Sequence, residues 1–341
     1  MSEPLRLAFL GSDSIALPLL DWLAPTGSVP VGEGSAAARL VAIYTQPDRP
    51  AGRGQKIEAG PIKRWAQARG LTVRQPEKIT PDERAWLAAL QPDVVLVMAY
   101  GHILGEDFIA TPRLGTLNLH ASILPKYRGA SPIQTAVACG ERETGVTLMG
   151  IVRQLDAGPA ADLERVIIDP LDTAHDVEAK LANACVPLVA RALPRLARGE
   201  LIFRDQDHGA ATYCRRLVKE DGKLDFAAPA TALAARINGL FPWPGCAVEI
   251  SGVPVKLGLA DAVAGVGDPG YKTATPGTVI GADAAGLLVS TGAGILRLRR
   301  LQRPGGKMLP AAEFLRGFPV MAKTQLPSQP MSRLVDTRPI R

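Results

Sequence analysis

Apolar and polar positions fall into two textures along this chain. Up to about residue 200, short apolar runs alternate with stretches of helical period. Leu5-Arg-Leu-Ala-Phe-Leu10 reads as a buried strand. Gly11-Ser-Asp-Ser14 turns it into a helix over Ile15–Leu23, with Ser12, Asp13 or Ser14 as cap. Leu40–Thr45 predicts a second strand. Thr80-Pro-Asp-Glu83 is a capping box with proline at the first helical position, opening a helix to Leu90. Asp93–Ala99 is apolar on both faces, the mark of a central parallel strand. Gly115–His120 alternates at period two: Leu117 and Leu119 face one way, and Thr116, Asn118 and His120 the other. Ser131–Cys139 predicts a helix, Gly145–Met149 a strand, and Thr173–Leu193 a long helix that Pro194 should end or kink. Strand alternating with helix predicts a parallel α/β domain of Rossmann-like layout.

Beyond residue 200 the helical period fades. Short β-like runs at Ala247–Ile250, Val253–Leu257, Gly277–Ile280, Gly286–Ser290 and Ile295–Leu301 are separated by Gly and Pro. They predict a small antiparallel barrel or sandwich. The expected organisation is an α/β domain over 1–203, an OB-like β-barrel over 209–320, and a poorly ordered tail over 321–341. Residues 25–38, rich in Pro, Gly, Ser and Ala, read as an exposed insertion.

The 341 residues are enough for two cores, and 47% hydrophobic with 21% charged is ordinary for a soluble globular protein. The formal charge of +6 fits an anionic partner without requiring one. Cysteines 139, 185, 214 and 246 form no CxxC pattern and suggest a reducing compartment. The chain starts without a basic, long-apolar leader and has no apolar run approaching 18 residues, so a cytoplasmic location is expected. GxGxxG and GxxxxGK[ST] are both missing, which removes the usual dinucleotide and P-loop fingerprints.

Four stretches carry candidate chemistry. Asn118 and His120 share one face at the carboxyl end of a strand, where open α/β sheets bind ligands. An amide N–H and an imidazole N–H both suit an oxygen that gains negative charge during acyl transfer; equally, the pair suits capping of the following loop. Asp156, in Gln154-Leu-Asp-Ala-Gly158, either forms an Asx-turn or orients a histidine and relays a proton. Thr45–Lys56 holds two Pro, two Gly, two Arg and a Lys, and reads as an exposed mobile loop, solvated or contacting phosphate. Leu296–Arg316 has basic residues at 297, 299, 300, 303, 307 and 316 and one acid, Glu313. On a strand its outer face would be basic, either as protection of a sheet edge or as a nucleic-acid surface.

Together these stretches resemble the methionyl-tRNA formyltransferase family. The matching motifs are Thr45-Gln-Pro-Asp-Arg-Pro-Ala-Gly-Arg-Gly54, Asn118-Leu-His-Ala-Ser-Ile-Leu-Pro-Lys-Tyr-Arg-Gly-Ala130 and Leu155-Asp-Ala-Gly158. Lys219-Glu-Asp-Gly-Lys-Leu-Asp225 and Phe241-Pro-Trp-Pro-Gly245 follow in the second domain. The resemblance implies transfer of the formyl group of 10-formyltetrahydrofolate to the amine of initiator methionyl-tRNA, by a monomer and without a metal. It implies that Asn118 and His120 hold the oxyanion and that Asp156 fixes His120 and moves the amine's proton. Ser122, Ile123, Leu124 and Pro125 would lie against the folate. Arg49, Arg53 and Lys56 would enter the acceptor-stem end of the tRNA, and Arg297, Arg299 and Lys307 would face its backbone. The sequence departs from the family pattern at Ile123, usually Leu, at Gly105, often Pro, at Ala160-Ala-Asp162, usually Asp-Met-Leu, and around Ala174-His175. Rivals are a formyltransferase with a small acceptor, a formyl-folate hydrolase, and an RNA-binding protein that kept the fold.

Overall fold

The computed structural model describes residues 4–24, 38–51, 56–263 and 274–339. The exposed insertion expected at 25–38 lies almost wholly outside them, and so does Arg53. The chain opens with β1 (Leu5–Gly11), α1 (Leu17–Leu23) and β2 (Ala38–Tyr44). A hairpin follows, β3 (Arg49–Ala51) and β4 (Lys56–Glu58), then α2 (Pro61–Gln67), β5 (Val73–Arg74) and α3 (Pro81–Ala89). Next come β6 (Val94–Met98), α4 (Glu106–Ile109), β7 (Thr116–His120), β8 (Arg128–Gly129) and α5 (Pro132–Ala138). β9 (Glu143–Gly150), β10 (Ala160–Ile167) and α6 (Ala174–Ala197) complete this half. The remainder holds β11 (Tyr213–Cys214), α7 (Ala230–Leu240), β12 (Cys246–Ile250), β13 (Val253–Ala262) and β14 (Val279–Ala282). It ends with β15 (Leu287–Ser290), β16 (Ile295–Gln302), β17 (Leu309–Pro310), α8 (Ala311–Gly317) and β18 (Val335–Asp336).

The chain forms two compact units. Met1–Arg128, Gly145–Val166 and Ala179–Ala211 make the first; Gly129–Thr144, Ile167–Glu178 and Thr212–Arg341 make the second. The last crossing, between Ala211 and Thr212, lies close to the expected boundary, while two earlier stretches cluster with the later part of the chain.

In the first unit seven strands run in the order β10-β9-β7-β6-β1-β2-β5. All five side chains of β6 are buried, as its unbroken apolar run predicts. β7, β6, β1, β2 and β5 pair in parallel, but β9 is antiparallel to β7, so the sheet is mixed at one side. Thr80 caps α3 through the Glu83 N–H, as the capping box requires. Pro194 does not end α6, which runs on to Ala197. Leu193 and Leu196 stay buried at 2% and 6%, so packing of the apolar face outweighs the lost backbone bond.

Where a small OB-like β-barrel is expected, the second unit holds a half-barrel. Its sheet follows an open path, β12-β13-β16-β15-β14, with β17 on β16: a curled antiparallel sheet. Residues of the tail lie along β14, the terminal strand of that path. Val279 N–H donates to Thr324 O, Lys323 N–H to Val279 O and Leu326 N–H to Gly277 O. A covered edge offers no template for further pairing. The tail is therefore packed, not loose: Leu326 is fully buried, and Ser328 and Ser332 make hydrogen bonds to Phe226 N and Asp221. Two helices, α7 and α8, also sit where the apolar pattern showed only strands. α7 is hidden from a periodicity argument because Arg236 and Asn238 are buried along with Leu233, Ile237 and Leu240. A Cβ at Gly239 would lie 2.2 Å from the backbone nitrogen of Ala138, so α5 and α7 meet where only glycine fits.

Candidate active site

β7 ends with Asn118 and His120 two residues apart, hence on one face of the sheet. The strand lies between β6 and β9, where His120 is opposite Thr147 and Asn118 opposite Met149. Asn118 is partly exposed, and its side-chain amide has no hydrogen-bond partner among the described residues. His120 is 6% exposed. Its Nε2 lies 2.9 Å from the backbone carbonyl of Tyr127. A carbonyl only accepts, so Nε2 carries a proton and Nδ1 is the other edge of the neutral ring. That edge faces Asp156: Nδ1 to Oδ1 is 3.6 Å. With the Nε2 proton committed, any further proton on the pair resides on Nδ1 or on the carboxyl. Ring and carboxylate are thus arranged to accept and pass one proton.

Asp156 sits on the loop between β9 and β10, at φ 49°, a left-handed conformation uncommon outside glycine. Gly158 permits the loop's close return, since a Cβ there would be 1.9 Å from Gly150 O. The adjoining turn is pinned from β9. Thr147 Oγ1 donates to Ser122 O at 2.7 Å and accepts from Leu124 N–H at 3.2 Å.

The structure brings Asn118, His120 and Asp156 together in one unit. Ser122 departs from its expected ligand-facing role. It is fully buried, and its hydroxyl donates to Lys126 O at 2.6 Å, which closes the turn. Ile123, Leu124 and Pro125 remain half-buried and keep an apolar surface beside β7.

The expected phosphate-contacting residues separate into two kinds. Arg49 is exposed on β3 and pairs in register with Glu58, so the predicted mobile loop is a β-hairpin where it is described. Its root is fixed: Lys63 pairs with Asp48 at 2.5 Å, and Gln75 donates to Asp48 and to Gln46 O. Hydrogen bonds from Lys63 and Gln75 hold the Asp48 carboxyl below the usual range. Arg53 lies outside the described residues, and Lys56 is placed in β4 by its backbone. Arg297 and Arg299 do not form a bare basic face. Arg299 pairs with Asp261 at 2.5 Å, and Arg297 with Asp261 and Asp283 at 3.4 and 3.0 Å. Lys307 is exposed on the turn between β16 and β17, as are Arg300 and Arg303 nearby.

Thr147 and Gln206 escaped the sequence reading, and Arg128 entered it only as part of the Asn118–Ala130 motif, with no role of its own. A threonine in an apolar strand looks like filler, and a glutamine in a polar linker carries no signal until its partners are known.

Comparison with other proteins identifies the family. The formyl transferase family matches residues 29–193, and the formyl transferase C-terminal domain matches 216–319. The chain is 40% identical over 323 residues to a methionyl-tRNA formyltransferase of Aromatoleum aromaticum, covering 94% of this chain and 96% of the other. It is 41% identical over 310 residues to that of Ectopseudomonas mendocina, covering 91% and 93%. Among solved structures it is similar in fold to WlaRD, a sugar 3N-formyl transferase crystallised in the presence of dTDP and 5-N-formyl-THF. That match has TM-score 0.62 and 16% identity, covering 90% of this chain and all of the other.

Proposed function

The chain belongs to the methionyl-tRNA formyltransferase family, and on that premise we infer that it moves the formyl group of 10-formyltetrahydrofolate onto the amino group of methionyl-tRNA. The observation that carries the chemistry is the partnerless Asn118 amide beside the His120–Asp156 pair. The amine adds to the formyl carbon, and the carbonyl oxygen becomes an oxyanion. Asn118 Nδ2–H is the ready donor to that oxygen, since no group among the described residues uses it. His120 joins as a second donor through Nδ1–H when the pair holds its extra proton, because Nε2–H is committed to Tyr127 O. Asp156 and His120 take the proton that the amine loses and return it to the departing folate nitrogen. The C–N bond to the folate breaks, leaving formyl-methionyl-tRNA and tetrahydrofolate. Nothing in this sequence of events calls for a metal, because hydrogen bonds activate the carbonyl. Ile123, Leu124 and Pro125 offer the apolar surface that a folate ring requires, and Ser122 shapes that surface from within.

For the tRNA, exposed Arg49, Lys307, Arg300 and Arg303 are the preferred backbone contacts, with Arg53 and Lys56 on the same hairpin as Arg49. Arg297 and Arg299 contribute less, being matched by aspartates. A monomer fits this reading, since all three reacting side chains come from one unit of one chain, and a cytoplasmic location fits the use of methionyl-tRNA as substrate; no helix among the described residues is long and apolar enough to cross a membrane. The test is formyl transfer to methionyl-initiator tRNA, with methionyl-elongator tRNA and free methionine alongside. Transfer confined to the initiator is expected. Transfer to none of the three, with folate still bound, would point to a small-molecule acceptor, and sedimentation of the active species as a dimer would overturn the monomer.

A further inference from the structure

We propose that Arg128 and Gln206 are positioning residues that set the distance between His120 and Asp156. This rests on the acyl-transfer reading above and adds two residues to it. Arg128 is the largest side chain buried to under 2% exposure in the described residues, and Gln206 is 8% exposed. Gln206 Oε1 accepts from Arg128 Nε at 3.1 Å and Nη2 at 2.6 Å. On its other side Gln206 Nε2 donates to Asp156 O at 2.9 Å and Gly158 O at 2.7 Å. A guanidinium only donates and a carbonyl only accepts, so the amide has one possible orientation, and a carboxylate could not replace it.

The loop needs such a hold. Asp156 is in the left-handed region, a conformation uncommon outside glycine that its surroundings must support. Gln206 grips the backbone on both sides of Ala157 and so enforces it. The other member of the pair is held by the residue next to Arg128. Tyr127, itself at φ 58°, turns its carbonyl to His120 Nε2. Two consecutive residues therefore reach both partners: Tyr127 directly to the imidazole, and Arg128 through Gln206 to the carboxylate's backbone. If the loop relaxes, the 3.6 Å gap between Nδ1 and Oδ1 changes, and proton transfer is the step that suffers.

Gln206→Glu tests this. The carboxylate keeps the side-chain length and the Arg128 partnership, but turns acceptors toward two carbonyls. Formyl transfer to methionyl-tRNA should show kcat of the folded fraction lowered roughly 10- to 100-fold with KM for both substrates within about twofold, beside a lower melting temperature because two buried carbonyls lose their donor. The ¹⁵N resonances of the His120 ring, assigned by their loss in His120→Ala, should shift. If Gln206→Glu fails to fold, Arg128→Lys and Arg128→Met replace it: the lysine keeps a donor to Oε1 and should recover most of the kcat lost in the methionine variant. Unaltered kcat with unaltered ring resonances in Gln206→Glu, or equal losses in the two Arg128 variants, would overturn the proposal. Absence of transfer by the unchanged protein would instead remove the acyl-transfer reading, and the ring resonances would then decide the positioning role alone.

Discussion

Asn118 and Asn238 are the same residue put to opposite uses in the two units. Asn238 is 4% exposed, and both ends of its amide are committed to one residue of β13: Nδ2 donates to Ala260 O and Oδ1 accepts from Ala260 N–H, each at 2.9 Å. Asn118 is partly exposed and its amide meets no protein partner among the described residues. Two aspartates differ in another way, by burial and by neighbour. Asp221 is fully buried with two bonds from Arg215, one from Val218 N–H and one from Ser332 Oγ. The Asp156 side chain is 13% exposed and stands 3.6 Å from His120 Nδ1. A polar group saturated by the chain stabilises the fold; the Asn118 amide, without a partner among the described residues, keeps its donors for another use.

The sharpest way to break that contrast is to truncate each asparagine. Asn118→Ala should lower kcat for formyl transfer roughly 10²–10³-fold, the usual loss for one oxyanion donor, while a thermal melt changes little. Near-normal turnover would remove its donor role. Asn238→Ala should do the reverse. It strands a buried N–H and a buried C=O of Ala260, each costing about 1–3 kcal/mol, so the urea midpoint should fall while the folded fraction keeps its kcat. A loss of kcat without a loss of stability would merge the two cases.

The aspartate contrast is read by pH. Burial pushes the Asp221 carboxyl up, but its hydrogen bonds from Arg215, Ser332 and Val218 outweigh burial and bring it to about 2. A group depressed on folding stabilises the fold above its unfolded value of 3.8 and loses that contribution as pH falls through about 2. The urea midpoint should therefore drop between pH 4 and pH 2, less steeply in Asp221→Asn. Equal slopes for the two proteins would assign the acid sensitivity to other carboxylates.

The smallest effects are expected among the basic residues. Lys307→Ala or Arg300→Ala should raise KM for methionyl-tRNA a few-fold and reduce the salt slope of binding by about one counterion. Arg297→Ala should leave that slope alone and lower stability by at most about 1 kcal/mol, since a partly exposed ion pair is screened. A change of slope in Arg297→Ala would return that residue to the tRNA surface.

Local pattern carried much of the site. Period two in Gly115–His120 put Asn118 and His120 on one face, and the unbroken apolar run 94–98 identified the central strand beside them. The capping box at Thr80 was legible for the same reason: each is set by residues within one turn or one strand. α7 was not, because its polar positions are buried by partners far along the chain, and neither was the packing of the tail.

By itself, then, the sequence determined which chemical groups are present, which element carries them and which way alternate side chains face. Only the tertiary structure decided what each group is bonded to. The protonated nitrogen of His120 follows from Tyr127's carbonyl, reached through a turn. The hold on Asp156 comes from Gln206, 50 positions away, and the neutralisation of Arg297 and Arg299 from Asp261, 36 and 38 positions away. Side-chain period is a property of neighbours along the backbone, whereas saturation of a hydrogen bond depends on groups that packing alone brings within 3 Å.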